Sequence, residues 1–427
     1  MSIGLITLIV SFVVLLILGF PIAFSLLGAT ILYILCTGAP LTIVSQRLFE
    51  GMNGFPLLAV PFFLMCGQFM LKGKLLDPLI EAAEAFVGHI RGALAMVNVI
   101  VSLPLGSIIG LALADVTSLG SILIPAMKKE GYDADFSAAV TAASSLLGPM
   151  FPPSVLMILY AMAVGRTSIA GLFLAAVIPA ILVCAVQCIV TYILCVKRNY
   201  PRHPKVGWKE KISRLKRALP ALGLPVVILG TIFGRVCSVT EASALGALYA
   251  FILTVVVYRN VNFSEVINIV FQAGLTTGLV LLLAGAATVT GWVIANEQVV
   301  HSAVAIIGNW SPWLFLLALN IILLLNGCFM DDYASVLLYS PIIAPIAWHL
   351  GIHPLHIGFV ICMNLVIGLS TPPFGIVLFV ASPIAGVKFE KTARAALPLI
   401  LATIGVLLLV TYVPQICLFL PRLFGFY

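Results

Sequence analysis

Charge is what this sequence has least of. Only 9% of its residues are charged, 62% are hydrophobic, and the mean hydropathy is +1.21. Water-soluble domains run near 25% charged, so a soluble globule is excluded. The nine cysteines, at 36, 66, 184, 188, 195, 237, 328, 362 and 417, include no CxxC pair and no zinc spacing. They sit mostly in apolar segments and read as small buried hydrophobes. There is no Walker A sequence, no GxGxxG opening a helix after a strand, no HExxH and no GxSxG. ATP-driven transport by this chain is therefore unsupported. Barrel strands alternate apolar with polar residues, and that alternation is missing too.

What the sequence does have is continuous apolar helix. A bilayer core of about 30 Å needs roughly 20 apolar residues per helix, so a chain of this length could supply about ten to thirteen spans. The first segment, MSIGLITLIVSFVVLLILGF, has no basic n-region and no cleavage site, and is expected to be a retained span. The block Ile3 to Leu35 breaks at Gly19-Phe20-Pro21, giving two segments or one tilted, kinked helix. Leu75 to Arg91 mixes Asp77, Glu81, Glu84, His89 and Arg91 with apolar residues, as an interfacial helix does.

Positive charge is concentrated in one place. Nine of the 22 Lys and Arg residues lie between Lys197 and Arg217. Between two membrane spans such a run marks the cytoplasmic side and headgroup contact rather than nucleic-acid binding. Lys209 to Arg217 is expected to form a short amphipathic helix.

The costliest residues are also the most ordered. Ser145-Leu146-Leu147-Gly148-Pro149-Met150-Phe151-Pro152-Pro153 recurs, 220 positions later, as Leu365-Val366-Ile367-Gly368-Leu369-Ser370-Thr371-Pro372-Pro373. Adjacent prolines interrupt a helix. In lipid, the freed backbone groups survive only when buried in protein or lining a wet cavity. Over positions 114 to 161 the same offset matches ten of 48 residues, among them Gly131, Gly148, Pro152 and Pro153. Matched Gly/Pro breaks in two halves of a chain point to the binding site of a secondary transporter. The stretch Ala93 to Met127, interrupted near Pro104 to Gly110, reads as a re-entrant hairpin. A second hairpin is expected around Asn326 to Asp332. The loop after the first hairpin carries Lys128, Lys129 and Glu130, while its counterpart, Trp348 to His356, carries only histidines. That asymmetry suggests inverted halves.

Candidate chemistry follows from these breaks. Asp115, Glu241, Asp331 and Asp332 are acidic residues in or beside apolar runs, where carboxylates are rare and usually functional. Glu241 reads as a structural helix-start residue. Ser107, Ser144, Ser145, Asn364, Ser370 and Thr371 place neutral oxygens beside unwound carbonyls, a donor set suited to Na⁺. His349 and His353 have metal-like spacing, but Gly351 and Pro354 break any shared helix, so a loop is expected. Trp292, Trp310, Trp313 and Trp348 read as membrane-interface anchors.

Several longer strings carry a family pattern. Gly54-Phe55-Pro56-Leu57-Leu58-Ala59-Val60-Pro61-Phe62-Phe63 and Gly120-Ser121-Ile122-Leu123-Ile124-Pro125-Ala126-Met127-Lys128-Lys129-Glu130-Gly131-Tyr132-Asp133 resemble the large membrane subunit of TRAP transporters, the DctM-like family. Val140 to Ser145, Thr240-Glu241-Ala242 and Asn364 to Pro373 agree with it. The resemblance covers essentially the whole chain. It implies an all-α polytopic membrane protein with inverted repeats, two re-entrant hairpins and two broken helices, of elevator type. It also implies Na⁺-coupled import of an organic acid, such as a C4-dicarboxylate or sialic acid, across a bacterial inner membrane, and no enzymatic activity. The implied partners are a small four-helix membrane subunit, an extracytoplasmic substrate-binding protein and membrane lipids, with no nucleic acid.

By position, the family's Na⁺ sites would fall on Ser107, Gly110, Ser144, Ser145, Gly148, Pro152, Asn326, Gly327, Met330, Gly368 and Thr371. Its substrate site would fall on Ser107, Asp115, Ser154, Asp331, Ser370, Thr371 and Pro373. The first tip, Ser107 to Asp115, has fewer hydroxyls than the family's usual string, which shifts ion coordination toward carbonyls. Asp332 stands where the family often has proline. The corresponding division is 1–91 scaffold, 92–196 first transport repeat, 197–218 basic loop, 219–300 second scaffold, 301–395 second transport repeat and 396–427 a final helix. A stand-alone exchanger of the same superfamily and a non-transporting membrane scaffold are the alternatives.

Overall fold

A computed structural model describes residues 2–308 and 310–426, leaving the side chains of Ser107 and Ile306 aside. Among the described residues there is no strand, and the chain is helical almost throughout. Seven of these helices are long and apolar enough to cross a membrane, and the bent pair Ala134–Met150 and Val155–Val164 makes an eighth. This falls below ten to thirteen because much of the apolar sequence is spent on hairpin arms and half-helices that do not cross alone.

Short polar caps set where the helices begin. Ser168 accepts from the Gly171 N–H ahead of Ile169–Lys197. Ser238 with Glu241, and Asn262 with Glu265, form complete capping boxes ahead of Val239–Phe251 and Phe263–Asn296. Glu241 is therefore structural, as its position suggests. The basic run behaves differently from expectation. Lys209 to Arg217 is no separate helix but the first turns of Trp208–Phe233, because nothing between Arg217 and Leu219 breaks the helix. The opening block resolves into two helices, Ile3–Ile17 and Ile22–Thr37.

Burial separates two kinds of helix. Every residue from Phe136 to Ser144 and from Leu355 to Gly368 is buried, so these two segments form the centre. By contrast, Ile3–Ile17 buries only Gly4 and Leu8, and its remaining apolar surface suits lipid. Phe263–Asn296, at 34 residues, spans about 51 Å and must tilt within a 30 Å core.

The repeat is visible in the elements. The first hairpin is Ala93–Ile109 and Ala112–Lys129; the second is Pro312–Phe329 and Asp332–His349. Each is followed by a turn glycine with positive φ, Gly131 or Gly351, and then by a broken helix. The broken helices run Ala134–Ser144 to Val155–Val164, and Pro354–Gly368 to Ile376–Ala385. Both breaks contain a cis peptide, Pro152–Pro153 and Pro372–Pro373.

The halves are inverted. The first hairpin stands at the basic loop, where the Gly92 N–H donates to the Pro201 carbonyl and Arg198 meets Asp133 at 2.8 Å. The second stands at the other end. There Trp313 stacks on Tyr412, the last residue of Phe389–Tyr412, whose opposite end follows Ala385. Lys128, at the foot of the first hairpin, donates to the Ala385 carbonyl at 2.8 Å. Each hairpin thus enters from its own side, and the two tips meet in the interior.

Candidate binding site at the hairpin tips

Each hairpin touches its broken helix through glycine. A methyl group on Gly106 would stand 2.5 Å from the Gly148 Cα, and one on Gly368 would stand 2.5 Å from the Gly327 Cα. Backbone meets backbone in both halves, which only glycine permits. Above each contact lies a buried amide. Asn98 donates to Thr141 Oγ1 at 2.6 Å and accepts from Ser144 Oγ at 3.2 Å. In the other half, Asn364 donates to Asn320 Oδ1 at 2.8 Å, and Asn320 donates to Thr411 at 3.2 Å. Ser144 and Asn364 share the 220 register, and each lies four residues before its contact glycine. The structural asparagines Asn98 and Asn320 are missed by sequence reading, because they stand at unequal positions of the two repeats.

The first tip turns at Gly110, whose φ of 71° is left-handed. Leu111 is extended, and Ala112 starts the return arm. Asp115 lies in the first turn of that arm, fully buried. Its carboxylate is beside Gly106, with Ser102 as the neighbouring hydroxyl. The backbone of Ser107 lies in the last turn before the tip, while its side chain is outside the description.

The second tip turns at Met330, and Asp331 caps the return arm by accepting from the Tyr333 and Ala334 N–H groups at 3.2 and 3.4 Å. Asn326 is held inside its own hairpin. Its amide donates to Tyr339 Oη at 2.9 Å and accepts from Ser335 Oγ at 2.8 Å. Asp332 is buried and accepts from the Tyr333 N–H. Tyr333 Oη then crosses between halves and donates to the Gly110 carbonyl at 3.0 Å.

Hydroxyls at the breaks have their protons committed to backbone. Ser145 donates to Ala142, Ser154 to Pro149, Ser370 to Ile367 and Thr371 to Ile367, at 2.7 to 3.1 Å. A hydroxyl whose proton is so placed presents only lone pairs to whatever faces it. At the first contact Gly148 and the Asp115 carboxyl stand against Gly106, while Gly110 faces Val155 at the start of the second half-helix. At the second contact Gly327 stands against Gly368 and the Leu365 carbonyl, within one turn of Asn326 and Met330 at its own hairpin end. No group of three His, Cys, Asp or Glu suited to a metal occurs among the described residues. His356 instead bonds the Val410 carbonyl at 3.0 Å.

A family model described as "Tripartite ATP-independent periplasmic transporter, DctM component" matches residues 9–416. The chain belongs to the DctM family. It is a large permease subunit of the TRAP transporters, a multi-pass membrane protein of a transport family. It is 37% identical, over 95% of its length and 96% of the other, to the sialic acid TRAP transporter large permease protein SiaM of Vibrio cholerae. It is 38% identical to the C4-dicarboxylate TRAP transporter large permease protein DctM of Pseudomonas aeruginosa, covering 89% of each. In fold it is similar to the Alcanivorax borkumensis YdaH transporter, with a TM-score of 0.60 at 17% identity, over 85% of this DctM-family chain and 86% of that one.

Proposed function

We propose that this chain carries an organic acid across the bacterial inner membrane in a Na⁺-coupled import cycle. The observation that carries the reading is the duplicated contact: in each half a hairpin end meets a broken helix backbone to backbone through glycine, next to a break that carries hydroxyls. Carbonyls freed at a break and hydroxyl oxygens with committed protons are hard neutral donors, the kind that replace the hydration shell of a small monovalent cation. One Na⁺ sits at each tip, and the solute carboxylate lies between them, drawn by the two cations and by the N-terminal ends of the half-helices. The two tips and broken helices travel as one body, since Tyr333 and Lys128 tie the halves together.

The solute of this reading is a carboxylate, a choice supported by the names of the sialic acid and C4-dicarboxylate relatives. A small four-helix membrane subunit binds the lipid-facing scaffold, and a soluble binding protein delivers the solute from outside. The test is uptake of N-acetylneuraminate and succinate into proteoliposomes holding all three components. An inward Na⁺ gradient should drive accumulation. Uptake of equal rate with K⁺ replacing Na⁺ on both sides would sink the coupling.

A further inference from the structure

Away from the tips, one cavity of about 520 Å³ opens between two sets of helices. One wall is Thr42–Met52 with Phe263–Asn296; the other is Val155–Val164 with Asp332–His349. Ala284, Ala287 and Gly291 follow helical spacing on the first wall, and their missing bulk makes the space. Leu337 on the second wall lies six residues beyond Asp331, about 9 Å along the helix from the tip.

Arg47 is the only Lys or Arg lining this cavity among the described residues. With Glu50, it is also one of only two charged residues before Lys72. Arg47 Nη1 holds Glu50 at 2.7 Å, and their side chains are 42% and 62% exposed. An exposed pair three residues apart on one helix contributes little to stability, so an external anion can displace it. The guanidinium has five N–H donors, and a planar carboxylate or sulfonate takes two of them side by side.

We propose that this cavity is an anion site in which Arg47 holds the acidic group of the solute, with Glu50 as an internal competitor that yields on binding. The site rests on the organic-acid reading above and adds a residue to it. The cavity's position next to the second hairpin makes it a stage on the way to or from the tips.

The test uses the full chain in membranes with Ala295, which lines the cavity, replaced by cysteine; the parent chain supplies the background from the native cysteines. Modification by 2-sulfonatoethyl methanethiosulfonate is followed with added sodium ethanesulfonate or sodium succinate, against sodium chloride at equal ionic strength. The organic anions should protect beyond chloride. Arg47→Gln should abolish that protection, Arg47→Lys should retain part of it, and Glu50→Gln should lower the concentration needed several-fold. A pair that merely braces the helix would make Arg47→Gln and Glu50→Gln act alike. Protection no better than chloride, equal protection in Arg47→Gln, or no modification of the introduced cysteine would each overturn the site. Na⁺-driven uptake alongside any of those results would leave the transporter reading standing without it.

Discussion

Tyr333 Oη donates to the carbonyl of Gly110 at 3.0 Å, joining residues from opposite halves of an inverted repeat. The carbonyl so engaged is the one freed where the first hairpin turns, and a cation at that tip would compete for it. Tyr333→Phe removes the competitor and costs one buried hydrogen bond, about 1 kcal/mol. The expected outcome is a small loss of thermal stability with a lower half-saturating Na⁺ concentration for uptake. A higher Na⁺ requirement would show that the hydroxyl shapes the tip rather than competing for it.

The glycine contacts are the least forgiving points. Gly106→Ala or Gly368→Ala puts a methyl against backbone that cannot rotate away, and overpacking of this kind costs about 1–3 kcal/mol or more. Uptake should fall by about tenfold or more, since a hairpin displaced from its broken helix loses its donors. Gly278→Ala, which meets nothing within 4 Å in mid-helix, is the control and should be neutral or slightly stabilising. Equal effects at both kinds of position would remove the contact from the mechanism.

Asp331 has a structural duty that substitution can separate from any chemistry. Asn is as good a helix cap as Asp. Asp331→Asn should therefore fold and melt like the wild type, whereas Asp331→Ala should lose about 1 kcal/mol. If the carboxylate also serves the site, both variants lose uptake. Wild-type uptake by Asp331→Asn would leave it a cap alone.

The buried asparagines should behave as a pair with their partners. Asn320→Ala strands Asn364 without its side-chain acceptor and should cost about 1–3 kcal/mol in thermal unfolding. The double variant Asn320→Ala, Asn364→Ala should cost less than the sum of the two singles. Strict additivity would show that the two amides do not act together.

At the basic-loop end, the Tyr200 hydroxyl and the Arg198 guanidinium hold the Asp133 carboxyl below its usual range. A depressed carboxylate contributes stability that is complete above its unfolded value, about 3.9, and is lost as pH falls through the lower folded value. The Tm of the wild type should thus hold above about pH 4 and drop below it. Asp133→Asn should melt slightly lower at neutral pH and show less of the acid drop; an identical acid profile would assign the drop to other groups.

Much of this is legible in the sequence because glycine and proline carry their geometry with them. Pro152-Pro153 and Pro372-Pro373 announce the breaks, and the 220 register places Gly148 against Gly368 before any helix is drawn. What sequence hides is what depends on contact across the fold. Asn98 and Asn320 stand at 222 rather than 220, since hairpin arms are fixed by their neighbours, not by the repeat. Arg47 shows only as an isolated charge; that a cavity opens beside it depends on small residues more than 200 positions away. Trp292, read from the sequence as an interface anchor, also lines that cavity.

The same offset applies to the contact glycines. Gly148 and Gly368 differ by 220, but Gly106 and Gly327 differ by 221, while both hairpin arms end at positions 220 apart, Ile109 and Phe329. One residue of helix is about 1.5 Å of advance and about 100° of rotation. The two contacts are therefore built from one plan but are not congruent, and an ion held at each, as proposed above, would meet different surroundings. Under the proposed coupling, that inequality would let one site fill before the other and so give the cycle an order.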